Sequence, residues 1–195
     1  MPRRRRNQPR VRDHHHAVKF YADTNSLFTT VAAFLGQGFV DDHPAIIIAT
    51  PAHTMAIIEH MRQLPVDVEL AQRAGTLVLL DAEKTLASFM VGDTPDPDRF
   101  ERTVGQLIRD LVAVHTGESQ IRAYGEMVDV LWKEGRAEAA IRLEILWNGL
   151  ASRFGFALLC GYAMGNFYKQ AQLVEEICRQ HTHVLAPDVL TATPS

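Results

Sequence analysis

Two carboxylates in this chain stand where a side chain can act on something other than its own protein. Glu126 follows a short apolar run over residues 121–124 and Gly125, and it opens a helical pattern. A general base or a metal-bridging carboxylate often stands at such a strand-to-helix junction, although the helix dipole alone also stabilises an acid there. Glu144 falls at the edge of an apolar helical face, beside Ala140 and Trp147 and one turn from Asn148. A carboxylate so placed is partly desolvated and needs a partner: Arg122, a backbone N–H, or a ligand. Tyr21, Asp23, Thr24, Asn25, His53 and Tyr124 stand at the ends of other apolar runs and complete the set of candidate ligand-binding residues.

Other chemistries find less support. A phosphate-binding loop needs glycines for close backbone approach and a lysine for charge, and the turn between Tyr21 and Leu35 has neither. There is no G-x-S-x-G elbow, and Cys160 lies in an apolar run where a thiolate is disfavoured. His14, His15 and His16 are adjacent, so on an extended chain they alternate in direction and do not chelate together. Cys178, His181 and His183 match no familiar zinc spacing. The expectation is a non-catalytic protein with no cofactor and no metal.

The elements that must position these residues follow from periodicity. Short apolar runs at 17–21, 45–49, 76–80, 121–124 and 156–159 read as strands. Between them lie helical patterns. The first runs through Leu27, Val31 and Leu35 and stops near Gly36 and Gly38; the next spans about 52–63; a short one carries Leu86 and Phe89. After a Pro-rich loop at 92–97, an amphipathic helix covers 100–114 and ends at Gly117. One helix runs from Glu126 to Gly135, another from about Ala137 to Phe154, and a last from about Gly165 to His181. Alternation of this kind predicts an α/β three-layer sandwich with a mostly parallel central sheet. Ligands gather at the carboxyl ends of such strands. There stand Tyr21, Asp23, Thr24 and Asn25, then Thr50 and His53, Asp81 and Glu83, Tyr124 and Glu126, with Cys160 and Tyr162 completing the rim.

Bulk properties narrow the class. At 195 residues, 47% hydrophobic and 22% charged, the chain suits one globular domain with terminal extensions. Six arginines precede residue 13; without them 14 basic face 23 acidic residues, which argues against specific nucleic-acid binding by the body. The apolar runs are too short to span a bilayer. No secretory signal follows the arginines, and two cysteines make no disulfide framework, so a cytoplasmic setting is expected. The divisions are a basic disordered arm over 1–13, a domain over 14–187 and a disordered tail over 188–195.

Several motifs in order then point to a family. His16-Ala17-Val18-Lys19-Phe20-Tyr21, Ala45-Ile46-Ile47-Ile48-Ala49-Thr50-Pro51-Ala52-His53, Leu80-Asp81-Ala82, Tyr124-Gly125-Glu126-Met127-Val128, Leu131-Trp132, Arg142-Leu143-Glu144, Leu146-Trp147-Asn148, Leu159-Cys160-Gly161-Tyr162, and Cys178 with His181 near the end, together resemble the MEDS family of sensory domains. The resemblance implies a fold similar to RecA- and KaiC-like ATPase cores without the phosphate loop. It also implies an input module that senses small molecules, proposed to be hydrocarbon derivatives, and signals to a histidine kinase or transcriptional regulator acting in trans. A homo-oligomer stays open, since ATPases with this core often form rings. Two alternatives also stay open: a degenerate nucleotide-binding ATPase domain with Glu126 as general base, and a protein-interaction adaptor with a vestigial pocket.

Overall fold

The computed structural model describes residues 15–40, 43–115, 120–165 and 171–186. The expected arm over 1–13, the tail over 188–195, Gly117 as a helix stop and Phe167 in the last helix lie outside the described residues. In chain order, β1 (His15–Tyr21) leads into α1 (Thr24–Val40), β2 (Ala45–Ala49), α2 (Pro51–Met61), α3 (Val68–Arg73), β3 (Leu77–Asp81) and α4 (Ala82–Phe89). A small hairpin, β4 (Met90–Val91) and β5 (Thr94–Pro95), precedes α5 (Pro97–Phe100), a π-helical turn at Glu101–Gly105 and α6 (Gln106–Val114). Then come β6 (Arg122–Gly125), α7 (Met127–Lys133), α8 (Ala137–Phe154), β7 (Ala157–Ala163), α9 (Ala171–Gln180) and β8 (His183–Leu185).

Six strands form one sheet in the order β3-β2-β6-β7-β1-β8, and each neighbouring pair is parallel. Because side chains alternate along a strand, each strand feeds two cores. Val18 and Phe20, Ile46 and Ile48, Ala123, and Leu158, Cys160 and Tyr162 face a core built with α4 to α9. Tyr21, Ile47, Tyr124 and Leu159 face the other, built with α1, α2 and α3. The continuous apolar runs of the sequence are thus the signature of strands covered on both sides. The α/β class and the parallel central sheet agree with expectation.

The departures have local causes. Helix α1 runs through Gly36 and Gly38, where a stop was expected. Those glycines serve close packing instead: a Cβ at Gly36 would lie 2.6 Å from Leu64 Cδ1, and one at Gly38 would lie 2.8 Å from Arg122 Cδ. Gly92, with a φ of 57°, turns the expected Pro-rich loop into the β4–β5 hairpin. Asp67 caps the unanticipated α3 by accepting from the Leu70 N–H at 2.8 Å. Strand β7 continues to Ala163, so Cys160 and Tyr162 lie within the strand and not on its rim. Residues 183–185, to which the sequence reading assigned no element, add β8 alongside β1. Among the described residues no helix is long and apolar enough to cross a membrane.

Gly161 decides how β7 meets the ring of Tyr124. A Cβ there would lie 3.0 Å from Tyr124 Oη and 3.2 Å from Leu27 Cδ1. Gly161→Ala should therefore lower stability by about 1–3 kcal/mol through overpacking. Urea denaturation checks this, and an unchanged midpoint would show that Tyr124 and Leu27 are not held against β7.

Candidate functional site

The site grows from the way the helices leave the sheet. After β2 the chain turns into α2, whose Ile57, Ile58 and Met61 join the core with α1 and α3. After the adjacent β6 it turns into α7, whose Met127, Val128, Leu131 and Trp132 join the opposite core. Neighbouring strands whose following helices part to opposite faces leave a crevice at their carboxyl ends, the usual place for a ligand in such sheets. The same parting occurs between β1, followed by α1, and β7, followed by α9.

Glu126 fills the first crevice. It occupies the position just before α7, and its N–H reaches back to the Ile48 carbonyl at 3.0 Å. One carboxylate oxygen accepts from the Thr50 N–H at 2.6 Å. The other lies 2.7 Å from His53 Nδ1 and accepts from Tyr124 Oη at 3.3 Å. Pro51 at the start of α2 sets the first turn that brings His53 round to this carboxylate. A carboxylate accepts only, so His53 donates through Nδ1 and turns Nε2 outward. Its side chain keeps 20% exposure, and its ring meets the edge of Phe28 at 5.0 Å.

Asp129, three residues further on, closes the second crevice. It accepts from Tyr21 Oη at 2.8 Å and from the Ala163 N–H at 2.9 Å, and Lys133 Nζ stands 2.7 Å away. Burial, followed by the nearby Asp129, pushes the Tyr21 phenol well above its ordinary value. Burial and then Glu126 do the same for Tyr124. Both phenols therefore stay protonated and donate.

The expected ligand residues thus separate into groups. Tyr21, His53, Tyr124 and Glu126 converge on the rim. Asp23, Thr24 and Asn25 stand at its exposed outer edge, where Asp23 accepts from the Ser26 N–H at 2.9 Å and so caps α1. Asn25 Oδ1 lies 3.1 Å from His60 Nε2. Two clefts, of about 430 Å³ beside Asp81 and Lys84 and about 450 Å³ beside Arg136 and Arg142, are lined by none of these residues.

Glu144 stands apart, on α8 and against the other face of the sheet. Its partners are not Arg122, which instead donates to the Phe34 carbonyl at 3.0 Å. Glu144 accepts from Tyr162 Oη at 2.8 Å and lies 3.2 Å from His16 Nε2 and 3.4 Å from His181 Nε2. Burial would raise its carboxyl, yet His181 and His16 together hold it well below the carboxylate range. Cys160 Sγ lies 3.5 Å from the same carboxylate, and burial with that neighbour pushes the thiol up. The sequence reading missed His16, Asp129 and Lys133, and it weighed Cys160 and His181 separately. A buried polar residue at a core-facing strand position was the available signal for His16.

A six-stranded parallel sheet with helices on both faces defines the α/β class of the domain. The chain belongs to the MEDS family, the MEthanogen/methylotroph, DcmR Sensory domain, whose model matches residues 15–182. It is therefore a member of a sensory domain family. In fold it is similar to an uncharacterised protein of Pyrococcus horikoshii crystallised with an unknown peptide, at a TM-score of 0.58 and 13% identity over 87% of this chain and 76% of that one. No curated protein sequence matches the chain.

Asp129 gathers two buried donors from β1 and β7, so its loss should cost more than the loss of either. Asp129→Ala strands the Tyr21 hydroxyl and the Ala163 N–H, at about 1–3 kcal/mol each. Tyr21→Phe removes one hydrogen bond, at about 1 kcal/mol. Paired urea unfolding curves check the ranking; equal costs would contradict the bridging role of Asp129.

Proposed function

We propose that the chain is a non-catalytic sensory and regulatory module whose rim between β2 and β6 receives a small, mostly apolar molecule carrying one hydrogen-bonding group. A hydrocarbon derivative such as a short alcohol or a halogenated alkane fits that description. The observation that carries this reading is the buried Glu126 carboxylate, held by Thr50, His53 and Tyr124 where the helices part. Phe28 meets the His53 ring edge-on at 5.0 Å and gives an apolar wall beside one polar handle, His53 Nε2, which is the pattern of small-molecule sites. Asp23, Thr24 and Asn25 form the outer lip.

In this structure the rim side chains satisfy one another, so ligand binding works as an exchange. A ligand that engages His53 favours a state in which α2 and α7 reposition about the Glu126 link. Differential affinity for the two states converts occupancy into a population shift. Trp132 on α7 meets Tyr162 edge-on at 5.8 Å and is placed to report that shift. The shifted surface is read by a separate protein, a kinase or a regulator, in the cytoplasm.

Tryptophan fluorescence and thermal melting across a panel of short alcohols, aldehydes and halogenated alkanes test the reading. At a hundredfold excess over Kd a ligand should add about 2.7 kcal/mol of apparent stability. The response should fall at least tenfold in affinity in His53→Ala. A flat response across the panel, or a shift produced by ATP with magnesium alone, would contradict it.

A further inference from the structure

The Glu144 cluster has a chemical problem that hydrogen bonds within the described protein do not solve. His16 Nδ1 lies 2.8 Å from Asn148 Oδ1, and Asn148 Nδ2 in turn donates to the Gln180 carbonyl at 2.8 Å. That second bond orients the amide, so its oxygen faces His16, and Nδ1 carries the proton. His181 Nδ1 lies 2.7 Å from the Ile177 carbonyl, which only accepts, so it too donates through Nδ1. In the neutral imidazoles both Nε2 lone pairs then point inward, at a carboxylate and a thiol sulfur. Four electron-pair donors face one another in a dry interior: His16, Glu144 and His181 each have fully buried side chains, and Cys160 is buried as well.

His181 Nε2 makes the point most sharply. It is buried and lacks a hydrogen-bond partner, although it stands 3.4 Å from Glu144 Oε1. The contact has the distance of an ion pair without the geometry of a hydrogen bond. A buried nitrogen of this kind needs a cation or a proton.

We infer that His16 Nε2, Glu144 Oε2, Cys160 Sγ and His181 Nε2 form a tetrahedral site for one divalent transition-metal ion of the zinc class. One ligand atom from each of the four residues lies within 4.8 Å of the others. Tetrahedral zinc, with bonds of about 2.0–2.3 Å, separates its ligands by about 3.3–3.8 Å. The separations here are 3.2 Å from His16 Nε2 to Glu144 Oε2, 3.4 Å from His16 Nε2 to Cys160 Sγ, and 3.5 Å from Cys160 Sγ to Glu144 Oε2. These three separations already suit the ion, and His181 Nε2, 3.4 Å from Glu144 Oε1, is the ligand that moves inward, by up to about an ångström.

Charge and outer-shell partners suit the ion. One carboxylate and one thiolate neutralise a divalent charge, which a buried site requires. Binding displaces the thiol proton of Cys160 to solvent. Tyr162 Oη holds the second oxygen of Glu144 and leaves Oε2 for the metal. Asn148 and the Ile177 carbonyl orient the two imidazoles, as outer-shell groups do at known sites. Mixed nitrogen, sulfur and oxygen ligands favour zinc, iron or cobalt over magnesium or calcium.

Four protein ligands leave no open position, so the ion is structural. It ties β1, α8 and β7 to His181, the residue after α9. From there the Thr182 N–H donates to the His16 carbonyl at 2.7 Å, and β8 follows. Metal therefore fastens the α9–β8 segment to the sheet. No short spacing betrays the site, because its ligands come from positions 16, 144, 160 and 181.

The chain, stripped with chelator and dialysed, is titrated with Co²⁺ and with Zn²⁺. The expected result is one ion per chain, intense visible cobalt bands of tetrahedral coordination, and a near-ultraviolet thiolate-to-cobalt charge-transfer band. Cys160→Ser should abolish the charge-transfer band, and His181→Ala should weaken zinc binding at least a hundredfold. His53→Ala, on the rim, should bind as the parent does, which separates this site from the proposed sensing site. Circular dichroism shows whether each variant folds, and the parent chain alone remains decisive if one does not. Weak octahedral cobalt spectra from the parent, or charge-transfer bands that persist in Cys160→Ser, would overturn the assignment.

Discussion

A carboxylate removed from water must be met by donors or by positive charge, because desolvation otherwise costs more than the fold can supply. This chain buries Glu126, Asp129 and Glu144. Each of them gathers partners from elements far apart in sequence, and those partnerships organise both ends of the domain. Glu126 joins β6 to the start of α2 through Thr50 and His53. Asp129 joins α7 to the ends of β1 and β7 through Tyr21 and Ala163. Glu144 joins α8 to β1, β7 and the end of α9.

The first two occupy the places where helices part to opposite faces of the sheet. Hydrophobic burial holds each helix to its own face, but it is non-directional and does not fix how the two faces meet at the rim. Short, charge-assisted hydrogen bonds do fix that relation. A sensory domain needs a junction that is specific yet replaceable, and a polar link between two separately packed layers has that character. A continuous apolar core across the rim would be stiffer and would offer no exchange partner.

The layered fold was legible because parallel strands write themselves as short apolar runs such as Ile46-Ile47-Ile48, separated by helical periods. Glycine misled the reading of α1, since Gly36 and Gly38 are there for Leu64 and Arg122 and not for a turn. Tyr124, Glu126 and His53 were legible as strand-end residues, and the structure brings them together. Asp129 was hidden because a carboxylate inside a helical pattern normally faces water. The Glu144 cluster was hidden for a different reason. Its members lie on β1, α8 and β7 and at the residue just after α9, and only the sheet order places β1 beside β7 and under α8.

Native-state hydrogen exchange, read residue by residue by NMR, tests most directly whether Glu126 and Asp129 hold the parting layers together. The Thr50 and Ala163 amides donate to these carboxylates. The account predicts protection at both comparable to that of central β2 amides, with Glu126→Gln releasing Thr50 while Ala163 stays protected. Rapid exchange at Thr50 and Ala163 in the parent protein would contradict it.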